Sequence, residues 1–282
     1  MKGHTAEAEK GQYVERTPPP PTRALAVKLN GAGGARTAML YPGIDGGVDV
    51  ATHFSARLPG WTVYGVLTAP AVPAGDSISA MAARGLAAMA RKGRPDPDCV
   101  IGFSFGCFVA LEAAQQLWSA GRPAPTLVLI DALIRLGAQE VPTAVESIWQ
   151  FARTAGLTAS LAEFTAWDVP DRITAIIRDC ARTLRGLDLE TGRRLYDNIE
   201  RGAEALSGYQ VAAYPGATGV VVASDSTLTR PDPQLWREVF TGRCEVTVVP
   251  GTHIELMSPQ RADDVAAAVR WLTDGLTRPA GS

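Results

Sequence analysis

The sequence predicts an α/β protein: a doubly wound, mostly parallel sheet with helices on both faces and a helical lid inserted between two strands. Three observations predict it. Short apolar runs alternate with helical stretches from Ala24 onward. These runs are apolar on both faces, as strands inside a parallel sheet should be. One segment of about eighty residues, 133–214, breaks the alternation and is too long for a simple crossover.

Taken in chain order, residues 1–24 carry Pro18-Pro19-Pro20-Pro21 among mixed charges and offer no face to bury. They are expected to form a flexible tail or linker, with the folded domain over 25–282. Strands are expected at 38–41, 61–66, 99–103, 127–130, 220–223 and 246–249, each rich in β-branched, aromatic or other apolar residues. Helices are expected at 77–91, 105–119, 233–240 and 259–273, so that successive strands are joined by helical crossovers. Between 133 and 214 only helical patterns occur, such as 173–184 and 192–206. That insertion is the expected lid.

The chain has 282 residues, 46% of them hydrophobic, enough for a substantial core. Its 27 Lys and Arg against 29 Asp and Glu give a net charge of −2. No global basic field is available for nucleic acid or an anionic membrane. No apolar run reaches the roughly eighteen residues of a membrane span, and the first residues lack the apolar stretch of a secretory signal, so a cytoplasmic location is expected. Cys99, Cys107, Cys180 and Cys244 are scattered, without CxxC or Cys/His spacing. Neither a metal site nor a disulfide framework is expected.

The chemistry centres on Gly102-Phe103-Ser104-Phe105-Gly106. Chance supplies a bare Gly-x-Ser-x-Gly in about one in six such chains, so its setting carries the weight. Here it ends an apolar strand and opens a helix. A tight strand-turn-helix lifts the serine hydroxyl above the sheet, and the flanking glycines let neighbouring backbone pass close. That is the nucleophile elbow of an α/β-hydrolase, and Ser104 is the expected nucleophile.

A serine hydroxyl attacks only when a base takes its proton. His4 lies in the tail and His53 just inside an expected helix after the Tyr41–Gly47 loop, whereas His253 follows the last strand in Pro250-Gly251-Thr252-His253. A loop at the carboxyl edge of the sheet is where the base belongs, so His253 is the expected base. The orienting acid has two candidates by position: Asp131, which ends the 127–130 strand, and Asp225, which follows the 220–223 strand. Asp232, ahead of Pro233, fits a helix N-terminal residue better. The oxyanion needs two donors. The backbone N–H of Phe105 is one. The other is expected from Tyr41-Pro42-Gly43-Ile44-Asp45-Gly46-Gly47, with Ile44 the donor chosen.

These stretches resemble the thioesterase domains that end polyketide and nonribosomal peptide assembly lines. The likeness rests on the Tyr41–Gly47 loop, on Gly102 to Gly106 with Val109-Ala110-Leu111-Glu112-Ala113-Ala114 after it, on Leu129-Ile130-Asp131-Ala132, and on Val249-Pro250-Gly251-Thr252-His253. It covers about residues 37–275 of the sequence. In that family the acid follows the strand after the nucleophile helix, which favours Asp131 over Asp225, and the lid begins just beyond it. Editing thioesterases usually lack that aspartate, so the resemblance implies chain release.

The resemblance also implies a substrate presented on the phosphopantetheine of an acyl or peptidyl carrier protein, with no cofactor bound. The acyl group would pass to Ser104 and leave by hydrolysis or cyclisation. Three positions depart from the family pattern: Tyr41, Phe103 and Cys107. Cys107, one turn into the nucleophile helix, reads as a packing residue rather than a second nucleophile. No dimer-forming leader helices are apparent, so a monomer is expected. From 133 to 215 the lid has nine Arg against eleven Asp and Glu, which offers no basic dock for an acidic carrier. Its Phe164, Trp167 and Tyr209 are candidates for an acyl chamber but fit plain lid core better.

Overall fold

The computed structural model describes residues 24–31, 33–67, 72, 74–132, 142–184, 186–226 and 238–276. Seven strands form one sheet: β1 (Leu25–Lys28), β2 (Arg36–Tyr41), β3 (Trp61–Leu67), β4 (Cys99–Phe103), β5 (Thr126–Ile130), β6 (Thr218–Ala223) and β7 (Cys244–Val249). Their spatial order is β1-β3-β2-β4-β5-β6-β7, and every pairing is parallel except β1 with β3. Among the described residues the α-helices are α1 (Thr52–Ser55), α2 (Ile78–Arg91), α3 (Gly106–Ser119), α4 (Ala144–Ala155), α5 (Leu161–Ala166), α6 (Val169–Cys180), α7 (Leu189–Ser207) and α8 (Ala262–Leu276).

Side chains of each central strand alternate between two cores. Met39, Val100, Leu127, Leu129 and Val220 pack with α2, α3 and the lid. Ala38, Leu40, Ile101, Val128 and Val221 pack with α1 and α8 on the opposite face. All five residues of β5 are buried, as a strand sealed on both faces requires.

Sequence and structure differ at the sheet edges. The four-residue antiparallel β1 was not expected; only Ala26 of it is buried, so it carries no periodic signal. The 246–249 run was read with the strands apolar on both covered faces, but β7 is the other edge strand and leaves Val246 and Val248 exposed. The helix expected at 259–273 is a 3₁₀ turn, Pro259–Arg261, running into α8. Only the end of the helix expected at 233–240 falls among the described residues, and residues 1–23 fall outside them.

The described part of the lid is α4 to α7. Its helix starts are well specified: Thr143 and Ser160 form capping boxes with Glu146 and Glu163, while Asp168 and Asp188 cap α6 and α7. The cap at Asp168 explains why the helix expected over 173–184 lies earlier, at Val169–Cys180. No helix among the described residues is long and apolar enough to cross a membrane.

Candidate active site

Ser104 sits between β4 and α3 with φ of 53°, a conformation that costs a non-glycine residue energy. Two glycines make this turn possible. A Cβ on Gly102 would stand 2.5 Å from the Cα of Cys107, and one on Gly106 would stand 2.3 Å from the Pro42 carbonyl oxygen. Without side chains there, α3 starts directly against β2 and β4, and its N-terminus points its dipole at the space above Ser104.

Parallel register brings the next residue into place. Phe103 pairs with Ile130, and the Ser104 N–H donates to the Ile130 carbonyl at 3.0 Å. Asp131 therefore leaves the sheet beside Ser104, and it too has a positive φ, 47°. Its N–H donates to the Val221 carbonyl at 2.7 Å, which ties the turn to β6.

His253 arrives from the loop after β7. That loop turns at Gly251 (φ 118°), and Glu255 holds Thr252 through its N–H at 2.8 Å and its hydroxyl at 3.1 Å. His253 Nε2 lies 2.9 Å from Ser104 Oγ, and Nδ1 lies 2.7 Å from Asp131 Oδ2. All three residues are at most 5% exposed. Phe103, the elbow position where the family commonly has His or Tyr, stacks on the imidazole at 4.9 Å and 19°.

The sequence-expected serine, base and first-choice acid thus meet in one hydrogen-bonded chain. Such a chain can pass the hydroxyl proton to the imidazole while the carboxylate holds the ring's orientation and offsets its charge. Asp225 does something else. Its N–H donates to the Gly251 carbonyl at 3.0 Å and its Oδ1 accepts from the Ser224 hydroxyl at 3.1 Å, an arrangement that braces the histidine loop. Ser224 Oγ also accepts the Gly251 N–H. His53 lies in α1, as expected, while His4 and Asp232 lie outside the described residues.

Two partners of Asp131 were missed by the sequence reading. Ser226 donates its hydroxyl to Oδ2 at 2.8 Å, and the Ala223 N–H donates to Oδ1 at 3.0 Å. Ser226 is 95 residues from Asp131 in sequence and sits in no motif, so only the β5–β6 pairing reveals it.

The two residues expected to supply oxyanion donors are neighbours beneath the lid. A Cβ on Gly202 of α7 would lie 2.5 Å from Ile44 Cδ1 and 3.3 Å from the Phe105 ring. Ile44 and Phe105 are both buried. Asp45, beside Ile44, reaches solvent, yet crowding by the surrounding protein raises its carboxyl pKa; the N–H groups of Gly47 and Gly46 and the nearby His253 pull it back down. Beside the elbow lies an apolar pocket whose walls include Gly43, Val66, Val72, Met81, Phe105 and Val109.

The remaining side chains singled out by sequence are packing groups. Tyr41 donates its hydroxyl to the Ala82 carbonyl at 3.0 Å. Cys107 is fully buried, donates to the Gly102 carbonyl at 3.1 Å, and burial pushes its thiol well above the ordinary range. Phe164 is 0% exposed, with Trp167 edge-on at 5.9 Å, so it belongs to the lid core rather than to a chamber wall. Tyr209 stands edge-on to Phe108 at 6.4 Å. Among the described residues no group of His, Cys, Asp and Glu is arranged to hold a metal ion.

Solved structures share this fold. The AB3403 four-domain nonribosomal peptide synthetase superposes with a TM-score of 0.72 at 18% identity, over 90% of this chain and 20% of that one. The chain thus spans one fifth of that synthetase. The NocB thioesterase domain, solved as a covalent complex with a fluorophosphonate nocardicin G analogue, gives 0.62 at 21% identity, over 84% of this chain and 94% of its own. The Vlm2 thioesterase domain bound with a dodecadepsipeptide gives 0.62 at 16%, over 90% and 98%. A search of the curated proteins finds no match. At these identities the structural likeness speaks to the fold alone. The thioesterase domain family model, however, matches residues 36–272, from the first residue of β2 into α8, and the chain therefore belongs to the thioesterase domain family, whose members are hydrolases.

Proposed function

We propose that the protein is a chain-releasing thioesterase acting on an acyl group carried as a phosphopantetheine thioester by an acyl or peptidyl carrier protein. The observation that carries this reading is the 2.7 Å contact between His253 and Asp131 rather than Asp225. An acid on the strand after the nucleophile helix is the pattern of chain-releasing members. Support also comes from the solved neighbours, two of which are thioesterase domains and one a four-domain nonribosomal peptide synthetase.

In this reading Ser104 Oγ attacks the thioester carbonyl while His253 Nε2 takes its proton. The oxyanion forms between the backbone N–H groups of Ile44 and Phe105, at the N-terminus of α3. As the C–S bond breaks, His253 gives the proton to the departing pantetheine sulfur. The acyl group is then an ester on Ser104. Water, or a hydroxyl or amine of the same acyl chain, loses a proton to His253 and attacks that ester. The C–O bond to Ser104 breaks, and the proton returns to Ser104 Oγ. Water yields a linear acid; an internal nucleophile yields a ring.

The test is to load candidate acyl chains on pantetheine and identify products by mass, with simple nitrophenyl esters in parallel. The proposal requires that acyl-pantetheine thioesters turn over faster than the simple esters and that a fluorophosphonate labels Ser104. Faster turnover of the simple esters would instead mark a generic serine esterase.

A further inference from the structure

The contacts of α7 fix its position over the elbow. Gly202 packs on Ile44 and on Phe105, the residue after Ser104. The neighbouring Arg201 reaches the Val72 carbonyl with its guanidinium at 3.4 Å. Val72 and Phe105 both line the apolar pocket beside the elbow. At 3.6 residues per turn, the flank of α7 between Gly202 and Arg201 also carries Asn198, one turn toward the N-terminus.

Asn198 is the anomalous residue of that flank. It is 1% exposed, and its Oδ1 is buried with no hydrogen-bond partner. Buried acceptors without donors are rare and costly, and the other buried residues of α7 differ from Asn198: Gly192, Leu195, Ile199, Gly202, Ala203 and Ala205 have no polar side-chain atom, and Tyr196 has its hydroxyl paired with Arg172. An apolar residue of similar size would pack there without loss. The orphaned oxygen is an acceptor left without a donor, on the flank of α7 that covers the elbow.

Resting on the function proposed above, we propose that Asn198 recognises the acyl chain, its Oδ1 accepting a hydrogen bond from a backbone amide N–H of a peptidyl group bound to Ser104. A hydrocarbon chain offers no such donor. A peptidyl chain offers one at each residue. A hydroxylated acyl chain offers one only where a hydroxyl falls, so the peptidyl class is the one proposed, with Asn198 a specificity residue of the lid.

The test uses short peptidyl N-acetylcysteamine thioesters, each paired with an analogue in which one amide N–H is replaced by ester oxygen. For the wild-type chain, kcat/KM is expected to fall about 10-fold for replacement at one position and little at the others. In Asn198→Leu and Asn198→Ala, kcat/KM for the all-amide substrate falls about 10-fold and the difference within that pair disappears. A small fluorophosphonate should still label Ser104 in both variants, which separates recognition from misfolding. Equal handling of every pair by the wild type overturns the inference alone. So does an equal loss on both members of each pair in the variants. Failure of the wild type to cleave any of these thioesters or acyl-pantetheine overturns the proposed function and this inference together.

Discussion

Ser226 donates its hydroxyl to Asp131 Oδ2 at 2.8 Å, and the same oxygen faces His253 Nδ1 at 2.7 Å. A carboxylate shared in this way is held in one rotamer by a residue outside the serine–histidine–aspartate chain. Ser226→Ala leaves the carboxylate its contact with His253 on Oδ2 and the Ala223 N–H on Oδ1. One hydrogen bond to a charged group corresponds to about 1.5–3 kcal/mol, only part of which reaches the transition state. The expected result is a fall in kcat of about 3- to 10-fold with KM nearly unchanged, read from steady-state thioester hydrolysis.

Asp131 and Asp225 are separated by the same measurement. Asp131→Asn removes the acceptor that fixes the imidazole tautomer, and a loss of about 10⁴-fold in kcat is expected. Asp225→Asn weakens a brace between Ser224 and the histidine loop, and a loss under about 5-fold is expected. Comparable losses in the two variants would contradict the assignment of the acid.

The contrast between these two aspartates shows where sequence was informative and where it stopped. Ser104 was legible because an elbow is local: two glycines, a strand and a helix within a few residues. His253 was legible because only three histidines exist. The acid was not legible from position, since both aspartates end strands. What separates them is sheet order, with β5 beside β4, and the positive φ at Asp131, neither of which leaves a local pattern. The resemblance decided the choice. Central strands were readable because both faces are apolar, while β1 and β7, each exposed along one edge, gave no signal or a misleading one. Gly202 reads as an ordinary helix weakness until Ile44 is seen beneath it.

The thiols give a pH-dependent prediction. Burial, with the charge of Glu245 second, pushes Cys244 up to about 11, and burial, with Asp179 second, does the same for Cys180. At pH 8 only about one thousandth of either is thiolate, the form that alkylates. Iodoacetamide labelling of native protein should therefore rise about tenfold per pH unit from 8 to 10, with half-buried Cys244 modified first. Because these folded-state pKa values lie above the unfolded thiol value of about 8.5, their contribution to stability is complete below pH 8.5. It is lost as pH rises toward 11, so the unfolding midpoint should fall over that range. Rapid labelling of Cys107 at pH 8 would contradict its role as a packing residue.

Ser104 carries a cost that substitution can reveal. Its φ of 53° is unfavourable for serine and for alanine but free for glycine. Ser104→Ala and Ser104→Gly should both lose fluorophosphonate labelling and at least about 10⁴-fold in turnover. Their stabilities should part. Ser104→Gly releases the backbone strain, about 1 kcal/mol after allowing for the greater freedom of glycine in the unfolded chain. Ser104→Ala keeps it. Urea unfolding should therefore place the glycine variant above the alanine variant, and the reverse order would mean that the elbow is unstrained.

The lid seat can be tested by adding one methyl group and removing another. A glycine inside the 19-residue α7 forgoes about 1 kcal/mol of helix propensity, so its presence at 202 calls for a contact that excludes a side chain. That contact is with Ile44, whose Cδ1 would stand 2.5 Å from a Cβ at 202, with the Phe105 ring next at 3.3 Å. In Gly202→Ala either the lid lifts or the Ile44 loop shifts, and overpacking of this kind costs about 1–3 kcal/mol. Both movements disturb the space where Ile44 and Phe105 are proposed to hold the oxyanion, so kcat should fall about 10-fold. Ile44→Val deletes the clashing methyl at a cost of about 0.5–1.5 kcal/mol. In the double variant the new Cβ fills the space that the lost Cδ1 vacates, and the helix gains its propensity. Activity of the pair should recover to within about 3-fold of wild type, with thermal stability above that of Gly202→Ala. Additive losses in the double variant would show that Gly202 acts through some contact other than Ile44.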